Sequence, residues 1–193
     1  MVVSAAVSLA ACTSNNNSQS TKANTDSSRN AIQNTNATPS VSAQANSSSP
    51  VTQVVSGYLA IKNALANDDG KEAASGGKAM TLALQNLDAS SLNVTQKKAY
   101  TDMADDLKEN AEHIGENAGK IAHQREHFDM LSQDMYDLVK AMGSNQKLFK
   151  DSCPMYDNDK GAIWLSETKD IKNPYLGKKM PTCGSVKEEI NNP

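Results

Sequence analysis

The sequence predicts a mainly α-helical domain, a four-helix up-down bundle closed by an irregular C-terminal cap that carries short strands or turns. Two observations predict the bundle. No proline occurs between Pro50 and Pro154, and this stretch is rich in residues of high helix propensity. Apolar residues also recur there every three or four positions, which is the spacing of a helix that buries one face.

The four helices are predicted from four apolar stripes, with the first helix ending near residues 67–70 and the last at Gly143. Short connections between such helices favour antiparallel neighbours and therefore an up-down bundle. The stripes are Val51, Val54, Tyr58, Ile61 and Leu65; Ala79, Leu82 and Leu87; Tyr100, Met103, Leu107, Ala111 and Ile114; and Ile121, Phe128, Leu131, Met135, Leu138 and Met142.

The cap is predicted over residues 148–186, where the composition changes. This segment holds four aromatic residues, two of the three cysteines and the only tryptophan. Apolar runs at 147–152 and 162–165 predict brief strands, and turns are expected at Asn173-Pro174 and Cys183-Gly184. Together with the helices, the cap forms one predicted domain over residues 51–193.

The N-terminal segment predicts export and attachment to a membrane. Residues 2–11 form a short apolar run that ends in Leu9-Ala10-Ala11-Cys12, and this run resembles the lipobox of bacterial lipoproteins. The resemblance implies a signal peptide over residues 1–12, lipidation of Cys12, and a location on the periplasmic side of the outer membrane. Residues 13–50 are mostly Ser, Asn, Thr and Gln, so we expect a disordered tether.

The composition excludes two classes of protein. The formal net charge of the 193 residues is -3, and no basic patch interleaved with aromatic residues is present, which argues against nucleic acid as a partner. No apolar run approaches the roughly 20 residues that a transmembrane helix needs.

The two cysteines of the cap allow more than one interpretation. Cys153 and Cys183 would pair as a disulfide in an oxidising compartment. Alternatively, Met155 follows Cys153 by two residues and Met180 precedes Cys183 by three, so two thiolates and two thioethers could surround one soft cation, Cu(I) above all. The methionines could also simply pack against the bundle.

The histidines are sorted by their positions along the predicted helices. His113 lies near a helix end, where we expect it to be solvated. His123 and His127 are one turn apart, and His127 borders the apolar stripe of Phe128 and Leu131. His127 is therefore the preferred nitrogen ligand to reach the cap, with His123 as second choice, although packing or hydrogen bonding would also explain its position.

Several short strings in the sequence resemble a bacterial family named domain of unknown function 3347. They are Tyr58-Leu59-x-Ile61-Lys62-x-Ala64-Leu65, Gln124-Arg125-Glu126-His127-Phe128-x-x-Leu131-Ser132, Cys153-Pro154-Met155, Gly161-Ala162-x-Trp164-Leu165-Ser166, Asn173-Pro174-Tyr175-x-Gly177-x-x-Met180 and Cys183-Gly184. The resemblance spans about residues 51–186. Such domains occur as stand-alone lipoproteins and as C-terminal parts of periplasmic adaptor subunits of heavy-metal efflux pumps.

The resemblance implies a metal-binding function. The family is associated with copper efflux, so the resemblance implies Cu(I) as the cofactor. It also implies that the domain buffers the metal or hands it to an efflux system, with an efflux adaptor or copper chaperone as a partner. Trp164 and the Asn173-Pro174-Tyr175 turn would then orient the sulfur atoms. The implied ligands are His127, Cys153, Met155, Met180 and Cys183.

An enzyme is not expected, because the sequence shows no nucleophile beside a base, no paired catalytic carboxylates and no Cys-x-x-Cys motif. The alternative function is a disulfide-stabilised helical module that recognises another protein of the cell envelope and binds no metal.

Overall fold

The structure, a computed structural model, describes residues 51–191. The predicted signal peptide with Cys12 and the predicted tether at 13–50 lie outside these residues. Four long helices follow one another in the described part, and each packs against the next, while α4 also packs against α1. The helices are α1 (Thr52–Ala66), α2 (Gly70–Gln85), α3 (Val94–Glu116) and α4 (Ile121–Met142). The predicted up-down bundle is confirmed.

The ends of these helices are set by local side chains. The Asp69 carboxylate accepts hydrogen bonds from the first backbone N–H groups of α2. Asn93 and Gln96 form a reciprocal capping box at the start of α3. Gly143 adopts a positive φ of 74° just after α4, a conformation that glycine adopts without strain, and so ends the helix where the sequence predicts.

The predicted apolar stripes of α1, α3 and α4 all contribute to the core, but the prediction for α2 is wrong. Ala79 is exposed and Leu82 is 59% exposed, whereas Met80 and Leu84 are buried. The buried face of α2 includes the pair Gly76-Gly77, which has no apolar side chain to mark that face in the sequence.

The two glycines let α2 lie against its neighbours at very short range. A Cβ at Gly76 would lie 2.9 Å from the backbone nitrogen of Ile61 in α1. A Cβ at Gly77 would lie 2.7 Å from both the Ala111 carbonyl oxygen and the Gly115 nitrogen in α3. The backbones themselves therefore form this part of the core, which fixes α2 between α1 and α3.

The cap is a small antiparallel sheet with the strand order β2-β1-β3. The strands are β1 (Leu148–Cys153), β2 (Ala162–Ser166) and β3 (Ser185–Ile190). The first two coincide with the predicted strands. The third was not predicted, because all but its last residue are at least partly exposed and its charges suggest a solvated segment. Shorter helical turns occur at Ala89–Ser91, at Tyr156–Asp159 and at Gly177–Lys179.

The sheet is joined to the bundle by buried polar contacts. The Tyr58 hydroxyl of α1 accepts a hydrogen bond from the backbone N–H of Leu165 in β2 at 3.0 Å and lies 2.8 Å from the Ser132 hydroxyl of α4. Lys62, whose side chain is 1% exposed, pairs with Glu167 just after β2 at 2.8 Å. These contacts determine where β2 sits on the bundle.

We expect Gly77→Ala to lower the free energy of unfolding by about 2 kcal/mol or more. The added methyl group meets backbone atoms of α3 that cannot rotate away, and this overpacking outweighs the gain in helix propensity. Urea unfolding of the full chain measures the effect. Ser75→Ala, at an exposed position of the same helix, is the control and should change stability by no more than about 0.5 kcal/mol. Equal stability of the two variants would contradict the close approach.

Candidate metal centre

Three histidines meet on the surface of the α3–α4 hairpin. His113 comes from α3, and His123 and His127 come from α4. One ligand nitrogen from each ring lies within 4.8 Å of those of the other two. The sequence contains only three histidines, so every imidazole of the chain is in this cluster.

The hairpin brings the rings together through a short connection and one buried amide. Residues 117–120 join α3 to α4, so His113 and His123 lie at similar distances from the turn. The side chain of Gln124 is fully buried, and its Nε2 donates hydrogen bonds to the carbonyl oxygens of Ile114 at 3.0 Å and Gly70 at 2.8 Å. Because Ile114 and Gln124 each follow a histidine in the chain, this bond aligns the two helices where the histidines lie.

The rings are in direct contact. His113 and His127 are stacked, with centroids 4.3 Å apart and planes 8° from parallel. His123 meets His127 edge-on at 4.6 Å and 84°. His113 was expected to be solvated: 44% of its side chain is exposed, and one face of the ring also lies against His127, a contact that was not expected.

A hydrogen bond fixes which nitrogen of His127 is free. Nδ1 of His127 lies 2.9 Å from Oδ1 of Asn110. The orientation of that amide is set by its other end, since Nδ2 of Asn110 donates to the Asp106 carbonyl oxygen at 2.9 Å. Nδ1 of His127 must then carry the proton, which leaves the Nε2 lone pair available to a metal.

Carboxylates accompany the other two rings. Nδ1 of His123 lies 3.3 Å from Oε2 of Glu126, and Nε2 of His113 lies 3.9 Å from Oε1 of Glu109. Carboxylates in such positions commonly hold the proton-bearing nitrogen of a metal-bound histidine and raise its basicity.

The electrostatic environment keeps His127 neutral. Burial, followed by the neighbouring His113 and His123, lowers the pKa of His127 below its ordinary value. A lowered pKa favours the neutral imidazole, which holds its lone pair, over the imidazolium, which carries a second proton. The neutral imidazole is the form that binds a metal ion.

An acidic groove of about 420 Å³ adjoins the cluster between α3 and α4. Burial, followed by Asp106 and Asp137, raises the pKa of Asp134 in this groove to about 6. The mutual effect of these carboxyl groups indicates a negative potential beside the histidines. The groove is lined by Asp106, Glu109, Asn110, His127, Met130, Gln133 and Asp134.

The two cysteines of the cap also meet. Cys153, the last residue of β1, is fully buried, and Cys183 is partly exposed just before β3. Both are thiols, and their Sγ atoms lie 2.6 Å apart. A hydrogen bond with Cys153, followed by burial, raises the pKa of Cys183 to about 11.

The two methionines predicted as ligands adjoin Cys183 through their backbones. The N–H of Met155 donates a hydrogen bond to the Cys183 thiol, and the carbonyl oxygen of Met180 accepts one from the Cys183 N–H at 3.2 Å. The side chain of Met155 is about half exposed, and Met180 is partly exposed. The contacts of His127 are with Asn110, His113 and His123, so this predicted ligand lies in the histidine cluster.

Comparison with known proteins gives one match. The sequence model of the family described as protein of unknown function (DUF3347) matches residues 54–147, just under half of the chain, and the chain resembles that family there. The matched segment contains α2, α3, α4, all of α1 except its first two residues, and the three histidines, and it ends before β1 and before Cys153 and Cys183. The chain matches no curated protein and no solved structure.

A search of residues 51–191 for membrane spans gives no helix with the length and apolar character that crossing a bilayer requires.

We expect the pKa of His127 to lie below the ordinary value of histidine and to rise in His113→Gln. Removing His113 removes a neighbouring positive charge that opposes protonation of His127, while the burial of the ring is kept. Two-dimensional NMR of the ring protons as a function of pH measures both values. Asp102→Asn, at an exposed position on the same helix, should leave the titration of His127 unchanged. A pKa of His127 that stays constant in His113→Gln would contradict the contact between the rings.

Proposed function

We propose that this domain binds a transition-metal ion through His113, His123 and His127. The observation that carries the proposal is the convergence of all three imidazoles of the chain from two helices, with ligand nitrogens within 4.8 Å of one another. Histidine is a rare residue here, so a cluster of all three is hard to explain by packing alone.

To close around an ion, the ligand nitrogens, which now lie within 4.8 Å of one another, must come closer together, and the stacked rings of His113 and His127 must turn until their lone pairs point at one centre. A tetrahedral ion with nitrogen ligands at about 2.0–2.1 Å requires those nitrogens to be roughly 3.3 Å apart. Imidazole ligands favour Zn(II), Cu(II) and Ni(II), and the carboxylates of the adjoining groove add an attraction for divalent cations. Three protein ligands leave a coordination position open, through which a metal could be passed to another protein.

We expect the full chain to bind Zn(II), and His113→Gln, His123→Gln and His127→Gln each to weaken that binding at least about tenfold, because each removes one ligand. Competition with a chromophoric chelator measures the affinity. Glutamine keeps the polar character and much of the volume of each side chain. Acidification through the histidine pKa values should release the metal, since protons compete for the same lone pairs.

The matched control is Asp102→Asn, which changes an exposed side chain of α3 outside the cluster. Tests use a chain in which Cys12 is replaced by serine, so that this thiol contributes nothing. NMR ring signals of the three histidines should shift together on metal addition. Unchanged Zn(II) affinity in all three glutamine variants would refute the proposal.

A second candidate is Cu(I) binding by the sulfur residues, and the contact between Cys153 and Cys183 favours it. Two thiolates are strong ligands for a soft monovalent cation. The backbones of Met155 and Met180 are hydrogen-bonded to Cys183, which brings their thioethers into the same part of the cap. This site would exist only while both cysteines are reduced.

For this candidate we expect the reduced chain to bind Cu(I) and Cys153→Ser and Cys183→Ser each to lose at least about tenfold in affinity, since each removes a thiolate. Anaerobic competition with a Cu(I) chelator measures it. If the thioethers coordinate, Met155→Leu and Met180→Leu also weaken binding, whereas Met130→Leu, at an exposed position on α4, does not. His127→Gln tests whether that histidine adds a ligand. Affinity no better than micromolar would contradict the candidate.

We propose that the site works at a cell-envelope membrane. The lipobox-like segment supports lipidation of Cys12 and a periplasmic, outer-membrane location. The motifs that resemble a family whose members include domains of efflux adaptors support hand-off of the metal to an efflux adaptor or copper chaperone. A helical module that recognises an envelope protein without metal is the alternative, and failure of both metal titrations would favour it.

A further inference from the structure

The sulfur of Cys153 is held in a rigid position. Cys153 is the last residue of the central strand β1 and pairs with Ala162 of β2, and its side chain is fully buried. The neighbouring Ser152 pairs with Ser185 of β3, so both sides of the strand end are hydrogen-bonded. The Cys153 side chain therefore has little freedom to turn away from Cys183.

Cys183 is held by a buried asparagine. Nδ2 of Asn173 donates to the Cys183 carbonyl oxygen at 2.7 Å, and Oδ1 of Asn173 accepts from the N–H groups of Tyr175 and Leu176 at 2.8 and 2.9 Å. Asn173 is fully buried, and its side chain joins the turn at Tyr175 and Leu176 to the segment at Cys183. Its hydrogen bonds position the backbone that carries the second sulfur.

Gly184 brings this backbone unusually close to β1. A Cβ at Gly184 would lie 2.9 Å from the carbonyl oxygen of Ser152 and 2.8 Å from the Trp164 ring, and φ is +138°. Only glycine allows this approach without strain. The approach places Cys183 beside the strand end that carries Cys153.

We propose that Cys153 and Cys183 are a disulfide-forming pair, oxidised by exchange with a disulfide such as oxidised glutathione or that of a thiol oxidoreductase. The partly exposed Cys183 thiolate attacks one sulfur of the external disulfide, forming a mixed disulfide and releasing one thiolate. The Cys153 thiolate then attacks Cys183 Sγ, which forms the Cys153–Cys183 bond and releases the second thiolate. The two protein protons pass to the two released thiolates, so one disulfide is reduced as one forms.

The pair would form a cross-link in the cap that is present only under oxidising conditions. The bond joins β1 to the segment before β3 and encloses residues 154–182, which include β2 and the buried Tyr175. In the oxidised form no thiolate is left for a soft metal, while the histidine cluster is unaffected.

The test is to equilibrate the folded full chain, carrying Cys12→Ser, with oxidised glutathione and then alkylate it. We expect the intact mass to fall by two hydrogen atoms, both cysteines to escape alkylation, and a digest to yield a linked peptide pair containing Cys153 and Cys183. The thermal midpoint should rise on the order of 10 °C relative to the reduced chain. Two alkylated cysteines after equilibration would overturn the proposal.

Single variants test the order of the two attacks. Cys153→Ser removes the resolving thiol, so glutathione should stay attached to Cys183 as a mixed disulfide. Cys183→Ser leaves only the buried thiol, which should remain unmodified while the protein is folded. A Cys153→Ser chain that acquires no glutathione would show that Cys183 is not the point of entry. This outcome is independent of the Zn(II) titration, so the two proposals fail separately.

Discussion

The hydrogen bonds of Gln124 are the constraint on which the candidate metal centre depends. Its buried amide joins the start of α4 to the end of α3 and to the start of α2, through the carbonyl oxygens of Ile114 and Gly70. A shift of α4 along α3 would break these bonds and separate His113 from His123 and His127. This arrangement costs folding free energy, because Oε1 of Gln124 is buried with no hydrogen-bond partner among the described residues. The position therefore favours alignment of the helices over full satisfaction of its own polar atoms.

Most of the bundle could be predicted from the sequence, and the errors have physical causes. In α3 and α4 the buried faces include large apolar side chains, such as Leu107 and Phe128, whose spacing shows directly which face is inside. In α2 the buried face includes Gly76 and Gly77, which contribute backbone contact instead of side-chain surface, and hydrophobic periodicity does not detect such a face. Strand β3 was missed because its glutamates lie in ion pairs, such as Glu188 with Lys140, that read as solvated charge in the sequence.

The candidate sites were predictable to different degrees. Cys153 and Cys183 could be grouped in advance, because they lie in the same non-helical cap and thiols have few roles. The histidine cluster could not be assembled so easily, since His113 and His127 stack only when the pairing of α3 with α4 is known. A usable signal was present: His113 and His123 lie at nearly equal distances from the turn at 117–120, so an antiparallel hairpin places them side by side.

The two proposed sites would respond to different chemical variables, and they lie on different elements of the fold. The imidazoles lie on α3 and α4, and metal binding by them would depend on pH, because only a neutral imidazole has a free lone pair. The lowered pKa of His127 favours that neutral form. The thiols lie at the end of the central strand β1 and just before β3, and their state would depend on oxidation, because a bond between them would remove both as ligands. In oxidising surroundings the domain would offer only nitrogen ligands, which suit a borderline divalent ion. In reducing surroundings it would also offer sulfur to a soft monovalent one, so the redox state of the compartment would determine which metal the domain can hold.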